Sequence, residues 1–105
     1  MILFISDTAE QDFERIGDYI AGFNPARAES FVEELFEHCQ RFVELPLQYQ
    51  LVVGHEESGM RRAPHGSYLI FYRVEETRVE IVRILNAAQD HEAILFPEDV
   101  AGDAQ

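Results

Sequence analysis

MRRAPHGSYLIFYRVEETRVEIVRILNAAQD, Met60 to Asp90, places five of the chain's eight basic residues in one strand-rich stretch, and all five are arginine. A His65-Gly66 turn leads into Tyr68–Val74, and the polar break Glu75-Glu76-Thr77 leads into Arg78–Leu85. Both runs are rich in β-branched and aromatic residues, which suit a pleated, half-buried surface, so an antiparallel hairpin is expected. Met60–Ala63 supplies a further strand before it. Alternation puts Tyr68, Ile70, Tyr72 and Val74 on one side and Leu69, Phe71 and Arg73 on the other. The second set is nearly as apolar as the first. Both faces are therefore expected to be covered in part, with one covering element coming from another chain.

Upstream of this stretch the period changes. Ile2 to Ile5 reads as a short buried strand, followed by Ser6, Asp7 and Thr8 as competing N-caps. Ala9, Phe13, Ile16, Ile20 and Phe23 then recur at steps of four and three, which defines one face of a helix. Asn24-Pro25 ends that helix and opens a second, with asparagine as N-cap and proline at the first helical position. Phe31, Val32, Leu35, Phe36, Cys39, Phe42 and Val43 form the apolar stripe of the second helix, and Pro46 ends it. So short a link implies an antiparallel helical hairpin. Leu47 to Gly59 is irregular, with Leu51-Val52-Val53 read as an edge strand and His55–Gly59 as a loop. Downstream, Asp90 to Phe96 reads as a turn or two of helix. The order gives an α+β fold: an N-terminal strand, a helical hairpin packed on an antiparallel sheet of three to four strands, and a short C-terminal helix. Residues 1–97 form one domain and 98–105 a loose acidic tail.

The chain has 105 residues and a net charge of −12, with no lysine. A uniform negative field repels a polyanion, so nucleic acid is not the default partner. The distribution qualifies this. Residues 7–44 hold ten acids against three arginines, whereas residues 60–85 hold five arginines against three acids. A lone cysteine, Cys39, excludes an intrachain disulfide, and the apolar start is too short for a leader or a membrane span. A cytoplasmic protein without a membrane segment is expected.

Catalytic chemistry is sparse. His38, His55, His65 and His91 show no metal-ligand spacing, Cys39 lies on the apolar stripe, and the six glycines form no phosphate loop. No metal or cofactor is expected. Arg61, Arg62, Tyr68, Tyr72, Arg73, Arg78 and Arg83 remain as the notable constellation. Arginines interleaved with tyrosines on a sheet can hold RNA by phosphate contact and stacking, or an acidic peptide by paired carboxylate contacts. They can equally balance Glu75, Glu76 and Glu80 across the strands. The overall charge favours the peptide over RNA.

The order of these pieces resembles the ParE/RelE family of bacterial toxins from toxin–antitoxin pairs. The capped helix from Ser6 to Ile20, the second helix ending at Glu44-Leu45-Pro46, Arg61, Gly66, Tyr68–Arg73 and Val79–Leu85 carry the resemblance. The LP-x-x-Y run at Leu45–Tyr49 and the GSYLIFYRV hairpin are closer to ParE than to RelE. The resemblance implies a toxin neutralised by a cognate antitoxin that wraps the helices and the sheet, and DNA gyrase as target. DNA would be reached only through the antitoxin. The resemblance makes Arg61, Arg62, Tyr68, Tyr72, Arg73 and Arg83 candidates for antitoxin contact, and Leu85, Asn86, Asp90, Ile94 and Phe96 candidates for target contact. RelE-like members cut ribosome-bound messenger RNA with basic side chains. Here Asn86-Ala87-Ala88-Gln89 stands where such chemistry would be placed, which speaks against a ribonuclease. A third alternative is a detoxified module that only binds antitoxin and serves as co-repressor.

Overall fold

A computed structural model describes residues 1–98; most of the acidic tail expected over 98–105 lies outside the described residues. The elements follow in the order β1 (Ile2–Ile5), α1 (Asp7–Ala21), α2 (Pro25–Glu44), a 3-10 turn (Glu56–Ser58), β2 (Met60–His65), β3 (Tyr68–Val74), β4 (Arg78–Asn86) and α3 (His91–Leu95). The sheet order is β1-β4-β3-β2. Strands β2, β3 and β4 are antiparallel as their sequence predicts, and β1 joins as a fourth strand running parallel to β4. The sheet is therefore mixed, with the helical hairpin between its parallel pair of strands in sequence.

Local chemistry explains the element ends. Ser6 is the N-cap of α1 that prevails over Asp7 and Thr8: its hydroxyl accepts from the Ala9 amide at 3.1 Å and donates to the Val82 carbonyl at 3.0 Å. One side chain thus satisfies an orphan helix donor and ties the helix start to β4. Asn24 caps α2 through Oδ1, which accepts from the Arg27 amide at 3.1 Å, with Pro25 at the first helical position. Gly66 turns the β2–β3 hairpin at a φ of +58°, in the left-handed region where a Cβ is costly.

The helices cover one face of the sheet. Ile16, Ile20, Leu35, Cys39 and Phe42 pack there against Ile70, Tyr72, Val79, Ile81 and Ile84. Phe42 and Tyr72 stack at 4.2 Å between centroids and 12° between planes. Burying each such ring contributes on the order of 2 kcal/mol. The expected α1 face is shorter by one residue, since Phe23 lies at the helix end, exposed, edge-on to Tyr19 at 5.6 Å.

The opposite face carries a second cluster of Met60, Leu69, Phe71 and Leu85, covered by Val52 and by Ile94, Leu95 and Phe96 from the C-terminal segment. The cover expected from another chain is thus supplied here by the chain itself. Leu51–Val53 is not a strand. Leu51 makes one bridge to Arg61, and the flanking backbone bonds from Val52 to Met60 and from Arg62 to Gln50 fasten the segment along the β2 edge. That edge is partly paired, which blunts it as a template for edge-to-edge association.

A bulge between Phe71 and Tyr72, opposite β4, shifts the register so that Tyr72 faces Ile81 and Phe71 faces Arg83. The extra residue on β4 lets two successive side chains, Arg83 and Ile84, serve the helix side.

Candidate partner-binding surfaces

The arginines of the sheet are mostly committed within the fold. Arg83 lies beside Asp12 of α1, whose carboxylate is fully buried. Arg83 Nε donates to Oδ2 at 2.8 Å and Nη2 to Oδ1 at 3.1 Å, and the Ile84 amide donates to Oδ2 at 2.8 Å. Arg15 adds an ion pair to Oδ1 at 2.8 Å. Such a carboxylate tolerates burial because every lone pair direction has a donor. Sequence periodicity alone could not find it, since Asp12 reads as one more solvated acid on a helix.

Arg61 donates to the Tyr49 carbonyl at 2.6 Å, and Arg73 Nε donates to the Ser58 carbonyl at 3.1 Å. Arg78 pairs with Glu75 at 2.9 Å and lies 4.1 Å over the Phe4 ring. Among the described residues the guanidinium of Arg62 meets no partner; the strand register puts it on the face away from the helices, with Phe71 and Arg73. Tyr72 is placed in the core rather than on a surface. It is fully buried, its hydroxyl donates to the Pro46 carbonyl at 2.9 Å, and burial raises its pKa. Tyr68 is half-buried and packs on Phe31 at 5.7 Å.

The second set of candidates is also divided. Leu85 is fully buried in the cluster behind the sheet, so it too is placed in the core. Ile94 and Phe96 pack onto that cluster from the C-terminal segment, and Phe96 stacks on His55 at 3.9 Å. Asp90 caps α3 by accepting from the Ala93 amide at 3.2 Å. Asn86 lies at the end of β4, half-exposed, where its Oδ1 accepts from the Ala88 amide at 2.9 Å.

Two features were not legible in the sequence. The outer face of the helical hairpin carries a groove of about 560 Å³, lined by Ile5, Phe13, Val32 and Phe36 with Glu10, Glu14 and Glu33. Phe13 and Phe36 meet edge-on at 6.4 Å across it. An apolar floor with an all-acidic rim suits a partner helix bearing apolar anchors and basic flanks. The second feature is a histidine pair. Nδ1 of His38 lies 2.9 Å from Nδ1 of His65, and Nε2 of His38 lies 3.0 Å from the Tyr49 hydroxyl. Burial, the neighbouring His65 and Arg41 lower the His38 pKa to about 4, so the ring stays neutral at pH 7. Burial also lowers the pKa of His65. Histidines 27 residues apart give no spacing signal; the α2–hairpin packing brings them together. Cys39 lies in the core, and burial pushes its thiol up to about 12, which suppresses the nucleophilic thiolate. Among the described residues no three His, Cys, Asp or Glu side chains gather as metal ligands, and no helix is long and apolar enough to cross a membrane.

The strand, helical hairpin, four-stranded mixed sheet and short C-terminal helix define a RelE/ParE-like domain. Within that class the chain belongs to the ParE toxin family of type II toxin–antitoxin systems (parDE), whose sequence model matches residues 3–91. Its structure is similar to a chain of the chromosomal ParDE toxin–antitoxin system of P. aeruginosa, with a TM-score of 0.71 and 21% identity over 82% of this chain and 95% of that one. It is also similar to a chain of the RelBE2 toxin–antitoxin complex of Mycobacterium tuberculosis, with a TM-score of 0.53 and 24% identity over 81% and 95%. A comparison with curated proteins found no match.

Proposed function

We propose that this ParE-type toxin is held silent by a cognate antitoxin and, when free, inhibits DNA gyrase by binding rather than by catalysis. Membership of the ParE family over residues 3–91 carries the reading. The apolar groove with its acidic rim on the helical hairpin supports the antitoxin half of it, because it offers a partner helix both anchors and charge. The cytoplasm, where both a labile antitoxin and gyrase would be met, is the proposed compartment. Contact with DNA runs through the antitoxin, since a chain of net charge −12 repels phosphate on its own.

The segment from the last residue of β4 onward supports binding over ribonuclease chemistry. Asn86, Ala87, Ala88 and Gln89 offer amides and methyl groups, and neither exchanges protons near neutral pH. The test is viable count after inducing this chain alone in a bacterial host, followed by gyrase supercoiling assays with the purified protein. Loss of viability rescued by co-expression of a cognate antitoxin, with supercoiling inhibited in vitro, is the expected outcome. Normal growth with soluble protein, together with tight binding of that antitoxin, would replace the reading with a detoxified antitoxin-binding module.

A further inference from the structure

Where α1 passes the end of β4, a cleft of about 390 Å³ opens between Arg15, Ile16, Tyr19, Tyr68, Asn86 and Gln89. We propose that this cleft is a carboxylate site, which seats an acidic group on an apolar stem presented by a protein partner. That the partner is the toxin's target, for which Asn86 is a contact candidate, rests on the proposed function; the carboxylate site itself stands apart from it.

The polar rim is built from donors. Asn86 Oδ1 accepts from the Ala88 amide and Gln89 Oε1 accepts from the Asn86 amide, each at 2.9 Å. Backbone amides must meet oxygens, so both side-chain orientations are determined, and each amide presents its amino group as the unused end. Among the described residues neither amino group has a partner; Gln89 is exposed, and Asn86 has no buried unsatisfied side-chain atom, so its amino group reaches solvent. Arg15 is half-exposed and is the one charged residue lining the cleft. Its Nη1 pairs with Asp12 at 2.8 Å and its Nη2 donates to the Ile84 carbonyl at 3.5 Å, so Nε–H and the remaining Nη hydrogens are left for a ligand; net positive charge remains because the single Asp12 carboxylate is shared with Arg83. In a protein with 20 acids, this concavity is lined by no carboxylate among the described residues and is rimmed by a guanidinium and two amino groups, in contrast to the groove lined by Glu10, Glu14 and Glu33.

The walls select the stem. Ile16, Tyr19 and Tyr68 present an aliphatic and two aromatic surfaces, which favour an apolar group beside the charge. One guanidinium with planar amide donors matches a carboxylate; a phosphate of a nucleic acid would bring further charge against a chain of −12. The chemistry recognised is therefore a side-chain or terminal carboxylate adjoining an aliphatic or aromatic residue.

The test is a titration of the full chain with 3-phenylpropionate, 3-phenylpropionamide and inorganic phosphate, followed by NMR at the Asn86 and Gln89 amino groups and Arg15 Nε–H. Saturable shifts at these groups are expected with the carboxylate, with at least about tenfold weaker binding of the carboxamide and of phosphate. The variants Asn86→Asp and Gln89→Glu keep the oxygen that holds the turn and replace the donor with a negative acceptor. Each is expected to weaken the carboxylate about tenfold while shifts elsewhere report an intact fold. Equal binding of the carboxamide, tighter binding of phosphate, or unchanged affinity in both variants would overturn the proposal. Harmless expression in the viability test would remove the toxin reading and leave a positive titration standing.

Discussion

The β side and the helical hairpin of this domain carry opposite charge, and they use it in opposite ways. The β side, the two successive hairpins of β2, β3 and β4, holds five of the eight arginines, which look in sequence like a contact surface, yet Arg61, Arg73 and Arg83 are each bonded to a backbone carbonyl or to the buried Asp12. The helical hairpin holds the acids, which look like an ordinary solvated face, yet Glu10, Glu14 and Glu33 rim an open apolar groove. Charge on the sheet fastens the fold, whereas Glu10, Glu14 and Glu33 on the helices stand exposed around the groove. One arginine and one acid exchange these roles: among the described residues Arg62 has no bonded partner on the sheet, and Asp12 is buried under the helix.

The largest effect should come from breaking the clamp between the two sides. Asp12→Asn removes a buried negative charge that faces Arg83, Arg15 and the Ile84 amide. A loss of about 3 kcal/mol in urea unfolding is expected, because two guanidiniums lose their counter-charge at a core position. Asp12→Leu combined with Arg83→Leu should recover a large part of the loss seen in either single variant, since the pair then leaves together. Additive losses would mean that Arg83 contributes to stability independently of Asp12. The same reasoning changes the meaning of a charge reversal at Arg83: it should unfold the protein before it reports on any partner.

The groove should behave the other way, with binding lost and stability kept. Phe36 is 39% exposed on its floor, so Phe36→Arg should change unfolding by about 0.5 kcal/mol or less. The same change should weaken antitoxin binding by about thirtyfold, as expected for an anchor at the centre of an interface. Isothermal titration of the purified pair reads this directly. Retained affinity would move the antitoxin off the helical hairpin and back towards the strands.

The histidine pair joins the two sides through neutral rings, so acid should separate them. His38 has a folded pKa of about 4 against an ordinary value of 6.5. On acidification the unfolded chain therefore binds its proton first. The contribution is complete above pH 6.5 and is lost as the pH falls from 6.5 towards 4. His65 and Tyr49 hydrogen-bond to this ring, and the nearby positive charge of Arg41 disfavours its protonation. Protonating carboxylates relieves the net charge and works in the opposite direction, so the comparison must be between proteins. Between pH 7 and 5 the wild type should lose about 1 kcal/mol more than His38→Gln does. Parallel urea midpoints would show that the pair titrates in the folded state.

The difference between the two sides also marks how far the sequence could be read. Local signals were sufficient for the elements: the Asn24-Pro25 cap, the Gly66 turn and the strand alternation of Tyr68–Val74 all lie where expected. Properties that depend on distant residues were not legible. The parallel pairing of β1 with β4 joins Ile2 to Arg78, the bulge that aims Arg83 at Asp12 belongs to strand register, and Tyr72 became a core residue because Phe42 and Pro46 close over it. A surface list drawn from residue type therefore selected arginines for their charge and missed which of them already had a counter-charge.

The smallest expected effect belongs to Arg62, and it sharpens the comparison most. Its guanidinium has no partner among the described residues, and the strand register sets it beside Arg73 on the face away from the helices. Arg62→Ala should therefore change the urea midpoint by no more than about 0.5 kcal/mol, whereas Arg61→Ala, which frees the Tyr49 carbonyl, should cost about 1 kcal/mol. The two side chains are neighbours of one residue type on one strand and differ chiefly in whether the fold has already used them. If Arg62→Ala leaves stability intact but weakens the antitoxin, the sheet contributes one free arginine to the interface. If both variants cost the same stability and neither affects binding, the whole set serves the fold, and the helical groove alone recognises the partner.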